Sequence, residues 1–204
     1  MNPFAKILGR FRPAQADEFF RAVTAAMPMS KKDILIGDML TRYTPEEYAM
    51  MQLFLSPDKQ AGYALKGGDE LVSVFSVPGG RGQAIAEDAV LRGATRLDNY
   101  DVRGKLPELY SSVGFEETGR YPFDPQFAGG LSAGARALEP DYVEMVLNPR
   151  VSSELSRLRG AGPEDLRRIV AGGQGRLSRR KNVQNTAALA ALLSLLGGSN
   201  AIQE

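Results

Sequence analysis

The 204 residues predict an α/β (α+β) fold: a mixed, mostly antiparallel central sheet flanked by helices, followed by a helical C-terminal tail. Three observations carry this. Short runs rich in apolar and β-branched residues, Met51–Leu55, Gly62–Leu65 and Glu70–Phe75, are separated by the turn sequences Ser56-Pro57-Asp58-Lys59 and Lys66-Gly67-Gly68-Asp69. Segments of helical period then alternate with further short strands as far as Asn148. Apolar residues make up 43% of the chain, which is enough for a packed core and too many for a disordered one.

The order of elements divides the chain into three parts: 1–43, 44–149 and 150–204. In the first, Pro13 suits an opening helical turn. Ala14–Met27 then places Phe19, Phe20, Val23 and Met27 on one face, before Pro28 ends the helix. Lys31–Tyr43 predicts a second, weaker helix. Thr44-Pro45-Glu46-Glu47 is a capped start, with threonine at the cap, proline in the first turn and an acid three residues on. The three strands above form a meander, and the alternation Val72/Val74 against Ser73/Phe75 predicts a strand with two different faces. Helix Gln83–Arg92 is closed by Gly93, and a strand at Thr95–Tyr100 and a short helix at Leu106–Ser112 come next. Strand Phe115–Tyr121, a long loop Pro122–Pro140 and a last strand Asp141–Leu147, stopped by Asn148-Pro149, complete the middle part. Beyond it, Val151–Arg159 and Pro163–Val170 predict short helices, Gly172–Gly175 a hinge, and Thr186–Leu196 an Ala/Leu helix.

Composition excludes several chemistries. With no cysteine and no histidine, the chain offers no disulfide, no thiolate or imidazole zinc site, and no Cys–His or Ser–His catalysis. Proton transfer must use Asp, Glu, Tyr, Lys, a terminus or water. No apolar run approaches the roughly 18–20 residues of a membrane helix, so no integral membrane insertion is expected. The broken segment Met1–Arg12 does not make a signal peptide. The net charge of +1 hides an asymmetry: residues 1–149 carry 16 Lys/Arg against 20 Asp/Glu, and residues 150–204 carry 9 against 4. Arg176, Arg179, Arg180 and Lys181 concentrate that basic excess.

One stretch has the architecture of an anion site. Gly79-Gly80-Arg81-Gly82-Gln83-Ala84 lies between a strand and a helix. Glycines there let backbone approach a phosphate closely, and a helix N-terminus presents unpaired N–H groups and a positive dipole. Arg81 adds a charge. Neither a Walker loop nor a GxGxxG spacing is present.

Gly79–Ala84 resembles the acetyl-coenzyme A loop of the GNAT family of N-acetyltransferases, Gln/Arg-x-x-Gly-x-Gly/Ala, with Gly79 standing where Gln or Arg is usual. Tyr110-Ser111-Ser112-Val113-Gly114-Phe115 is similar to the family's helical tyrosine and the Gly-Phe that opens its next strand. A narrower resemblance, to acetyltransferase-like domains of bacteriophage and mobile-element proteins, rests on Gly62–Leu65, Glu70–Phe75, Leu97–Asp101, Leu106–Phe115, Pro122–Phe127 and Pro140–Met145. It does not extend to residues 1–40 or 150–204. The resemblance implies acetyl-CoA as cofactor, held by Gly79, Gly80, Arg81, Gly82, Gln83 and Ala84, and Tyr110 as the general acid that protonates the leaving thiolate. One departure stands out. Where many members carry an acid on a central strand, this chain has Ser73, and nothing in the sequence aims Glu70, Asp98 or Asp101 at that role.

Three functional expectations follow. The first is a phage virion-associated protein (internal, ejected or tail-linked), made in the bacterial host cytoplasm, which uses the GNAT-like domain as a scaffold that need not be active. Its tail would contact other virion proteins or its own subunits. The second is an active acetyl-CoA-dependent N-acetyltransferase acting on a host or phage amine. The third is nucleic-acid binding through Arg176, Arg179, Arg180 and Lys181.

Overall fold

The computed structural model describes residues 10–31, 34–41, 43–77, 79–101, 103–127 and 130–159. The segments expected at 163–170, 172–175, 176–181 and 186–196 lie outside these residues, as do residues 1–9. Among the described residues the fold is mixed α/β, built on a seven-stranded, mostly antiparallel open sheet. The strands are β1 (Arg12–Pro13), β4 (Gln52–Leu55), β5 (Ala61–Lys66), β6 (Glu70–Ser76), β7 (Arg96–Asp101), β8 (Phe115–Tyr121) and β9 (Asp141–Leu147). Their order is β1-β4-β5-β6-β7-β9-β8. Only β6 and β7 run parallel. A separate two-stranded ribbon pairs β2 (Ser30–Lys31) with β3 (Ile34–Leu35).

Helices cover both faces. On one, α1 (Ala16–Ala26) and α2 (Pro45–Ala49) bury Phe19, Val23 and Tyr48 against Leu53, Leu55, Ala64, Val72 and Phe75. On the other, α3 (Gly82–Arg92), α4 (Lys105–Ser111) and α6 (Pro149–Arg159) close over Tyr63, Leu65, Leu71, Leu97, Phe115, Val143 and Met145. A short α5 (Ala133–Arg136) lies in the β8–β9 connection. No helix among the described residues is long and apolar enough to cross a membrane.

Local chemistry explains most boundaries. Thr44 accepts from the Glu47 amide while the Glu47 carboxylate accepts from the Thr44 amide, the reciprocal capping box that starts α2. Asn148-Pro149 does more than stop β9. Asn148 Oδ1 accepts from the Arg150 amide at 2.8 Å, and Pro149 is the first helical residue of α6. Val151 and Leu155 of α6 are buried in the core under β8 and β9. Gly114 has φ +103°, and a Cβ there would stand 3.1 Å from Val151 Cγ2, so the glycine before β8 is what lets α6 seat.

Three local expectations are overturned. The helix expected over Lys31–Tyr43 is instead the β2–β3 ribbon and a 3₁₀ turn, Ile36–Met39. Gly37 donates to the Met27 carbonyl at 3.1 Å, and a Cβ on it would lie 3.2 Å from that oxygen. This close return of the chain onto the end of α1 replaces the helical ladder. The 122–140 loop is not structureless: Ser132 caps α5, and its amide and hydroxyl both bond the buried Asp38 carboxylate, at 2.6 and 2.7 Å. Finally, Val72 and Val74 do not share a face. Val72 packs with Phe75 under α1, whereas Val74 packs with Leu71 on the α3 side.

The cause of that last difference is a β-bulge. The β5–β6 register shifts after Gly62↔Phe75 and resumes at Ala64↔Val72, with Ser73 in the left-handed region at φ +52°. The Ser73 hydroxyl, buried, bonds the Tyr48 hydroxyl at 2.9 Å. Beyond the bulge the sheet opens. β6 and β7 are in register only at Glu70↔Arg96 and Leu71↔Leu97, and then diverge.

Candidate functional site

The divergence of β6 from β7 is a break in an otherwise continuous sheet, and α3 begins just after β6. Its first residues are the glycine loop. Gly80 has φ +108° with open space where a Cβ would point, a conformation glycine adopts freely. No side chain caps α3, and no acid sits in its first turn, so the positive end of its dipole is not offset locally. Arg81 turns away from the helix axis and pairs in bidentate fashion with Asp58 of the β4–β5 turn, at 2.8 and 2.6 Å. Its charge is therefore already matched. Gln83 bonds Glu87 at 3.2 Å and accepts from the Ser112 hydroxyl at 2.9 Å. Ala84 is half-buried against the core.

The same packing brings the loop to Tyr110. A Cβ on Gly82 would stand 2.7 Å from Leu109 Cδ1, so the glycine lets α4 lie close to the start of α3. Tyr110, on α4, is buried at 5% exposure and packs edge-on to Phe115 with ring centres 6.1 Å apart. Its hydroxyl has no hydrogen-bond partner among the described residues. Burial first, and the charge of Asp98 second, push this phenol well above its usual pKa, so it is held protonated.

Sequence reasoning missed Asn99. It lies on β7 beyond the last β6–β7 pair and shares a face with Leu97, the face that packs under α3 and α4. Its Nδ2 and Oδ1 are both buried, and neither has a partner among the described residues. Leaving such groups unmade costs about 1–3 kcal/mol each, which makes this amide an exception that calls for a reason. Only the strand divergence would have singled it out, and divergence is not written in residue types.

On the opposite face of the same strands lies a cleft of about 530 Å³, floored by Tyr100, Tyr142 and Glu144 and walled by Tyr121, Phe123 and Phe127. Tyr142 donates to Asp98, and burial together with this carboxylate raises the Tyr142 pKa. Tyr121 donates to Glu144 at 3.3 Å. Gly119 makes room for both: a Cβ there would lie 3.0 Å from Glu144 Oε2 and 3.1 Å from the Tyr121 ring. Asp98 stands on the cleft face, but its charge is felt across the sheet. Its charge acts on Tyr110 beneath α4, and its carboxylate holds Tyr142 at the cleft.

Of the other acids weighed from sequence, Asp101 bonds the Gly104 amide and pairs with Arg120, and Glu70 pairs with Arg96. Both are engaged in local structure. A second cleft, about 770 Å³, lies between α1, α2 and the 130–132 segment and is mostly apolar. Among the described residues no group of His, Cys, Asp or Glu could hold a metal ion. Comparison of the chain with protein-family models, characterised proteins and solved structures yields no match.

Proposed function

We propose that the protein is built on a GNAT-like scaffold that binds acetyl-CoA where β6 and β7 diverge, and that it transfers the acetyl group to an amine. The observation that supports this most is the coincidence, at one break in the sheet, of three features: an uncapped helix start with a glycine loop, a buried unpaired amide on Asn99, and a buried tyrosine with an unengaged hydroxyl. Each feature is ambiguous alone. Together they provide donors for a pyrophosphate, a polar partner for an amide-bearing arm and a proton source. Acetyl-CoA held there would supply an acetyl thioester: as the amine nitrogen bonded the carbonyl carbon and the C–S bond broke, Tyr110 would give its proton to the departing thiolate and Asp98 would take the amine proton directly or through water.

A second reading keeps the scaffold without turnover, as part of a phage virion. What favours it is Ser73, which stands where many members of the family carry an acid and is already bonded to Tyr48. Gly79, standing where the family carries Gln or Arg, is a further departure, and Arg81 is already engaged by Asp58.

Calorimetry and thermal unfolding with acetyl-CoA test the first reading. A ligand at about 100 times its Kd stabilises the native state by roughly 2.7 kcal/mol, which moves the midpoint by several degrees in a domain of this size. Binding with release of free thiol in the presence of amines supports transfer. Binding without release supports the inactive scaffold, and the absence of both heat and shift refutes the coenzyme assignment.

A further inference from the structure

The cleft on the β7–β9–β8 face has a charge pattern that the fold itself does not use. Asp98 and Glu144 are direct cross-strand neighbours in the antiparallel β7–β9 pair. Like charges in that position repel and destabilise a sheet. Neither carboxylate has an arginine or lysine partner among the described residues. Elsewhere in this molecule facing acids are neutralised: Asp101 and Asp141, also cross-strand neighbours, share Arg120 at 2.8 and 2.9 Å. At Asp98 and Glu144, tyrosine hydroxyls donate instead, which orients the carboxylates and leaves their charge in place. Around them stand aromatic faces. Tyr100 and Tyr121 flank Tyr142 with ring centres 5.9 and 6.1 Å away, and Phe127 is 82% exposed at the rim.

We propose that this cleft binds an alkylammonium group, such as a lysine side chain, with Glu144 and Asp98 supplying the counter-charge and the Tyr100, Tyr121 and Tyr142 rings supplying cation–π contact. Anionic acids set among aromatic rings are complementary to a cation on both counts, and to an anion on neither. Gly119 is part of the device, since a Cβ there would press on Glu144 and Tyr121 together. That the amine so held is an acyl acceptor rests on the function proposed above, whereas the binding rests on the cleft alone.

The test is calorimetric titration of the full chain with a lysine-containing tripeptide amide and with its norleucine counterpart, at low and moderate salt. Acetyl-CoA is titrated in parallel. The lysine peptide is expected to bind and to weaken as salt rises, with the norleucine peptide at least about tenfold weaker. Glu144→Gln, at an exposed site, should weaken the lysine peptide about tenfold, the scale of one lost charged hydrogen bond, without lowering the unfolding midpoint, since it also relieves the repulsion from Asp98. Tyr121→Leu should give a smaller loss. Equal binding of the two peptides, no binding of the lysine peptide, or undiminished binding by Glu144→Gln would overturn the assignment. Lysine-peptide binding without acetyl-CoA binding would support the cleft and sink the acyl-transfer reading; the converse would sink the cleft alone.

Discussion

Replacing Asn99 with leucine puts the central argument at risk most directly. Leucine keeps asparagine's branch at Cγ and has no polar atoms, but it is bulkier, so residue 99 still fills its site at some packing cost. What changes is that two buried polar atoms without partners are removed. Each unmet group costs about 1–3 kcal/mol, and replacing such a group by an apolar one of the same shape is neutral or stabilising. Leucine also suits the face, since Leu97 and the cross-strand neighbour Val143 are core residues. Against this stand the overpacking of a larger side chain and some rotamer loss, so a net stabilisation of about 1–3 kcal/mol is expected. For a domain of this size that corresponds to a rise of roughly 2–10 °C in the unfolding midpoint. The assay is thermal unfolding by circular dichroism, with and without saturating acetyl-CoA. Without coenzyme the variant should unfold above wild type. With coenzyme the order should narrow or reverse, because the ligand loses its polar partner. If Asn99→Leu unfolds below wild type, the amide is satisfied in the free protein, by water for example, and the reasoning that it is held for a ligand fails.

Three other outcomes are expected. Tyr110→Phe should lower acetyl transfer by roughly 10²-fold with little change in coenzyme affinity, measured by thiol release and calorimetry; an unchanged rate would return Tyr110 to a purely packing role. Asp88, fully buried, is held by Arg92 at 2.8 Å and by the Tyr63 hydroxyl, so Arg92→Met should cost about 3 kcal/mol or more in urea unfolding. Desolvation raises the Asp88 pKa, so the folded state binds that proton more tightly than the unfolded chain, and the associated stability is present at low pH and lost as pH rises through the raised value. Urea midpoints of the variant should therefore recover partly on going from neutral to mildly acidic pH. Glu18 has the opposite sign: hydrogen bonds from Arg12 and Lys59 lower its pKa to about 2, so its contribution is present above the usual carboxylate range and lost as pH falls towards that value. Glu18→Gln should flatten the acid limb of the stability profile, and an unchanged limb would assign it to other carboxylates.

The mixed α/β class and most strands were legible because their boundaries are marked by residue types. Gly114 before Phe115–Tyr121 and Asn148-Pro149 after Asp141–Leu147 placed two strands to the residue. Gly82 and Tyr110 were singled out separately, yet only the structure reveals that Leu109 brings their two helices together. The failures are of one kind. The bulge at Ser73, the return of Gly37 onto Met27 and the strand divergence that isolates Asn99 are non-local, set by what lies opposite in space. Hydrophobic alternation at 72–75 reads as a regular strand, because a bulge changes which residues face inward without changing any residue type. The aromatic cleft was equally hidden, since Tyr100, Tyr121 and Tyr142 are far apart in sequence and share a face only through the β7–β9–β8 register.

The strand order has a consequence for how copies of this molecule can meet. One rim of the sheet is β1, only two residues long, and the other is β8. β8 carries Glu116, Glu117 and Arg120, and its pairing with β9 is interrupted between Glu117 and Gly119. A short strand at one rim and a charged, kinked one at the other are the features by which natural sheets discourage edge-to-edge addition. Self-association by extending the sheet is therefore disfavoured at both of the rims that the described residues form. Contact between copies through the described residues is left to helix faces and side-chain surfaces rather than to a growing ribbon.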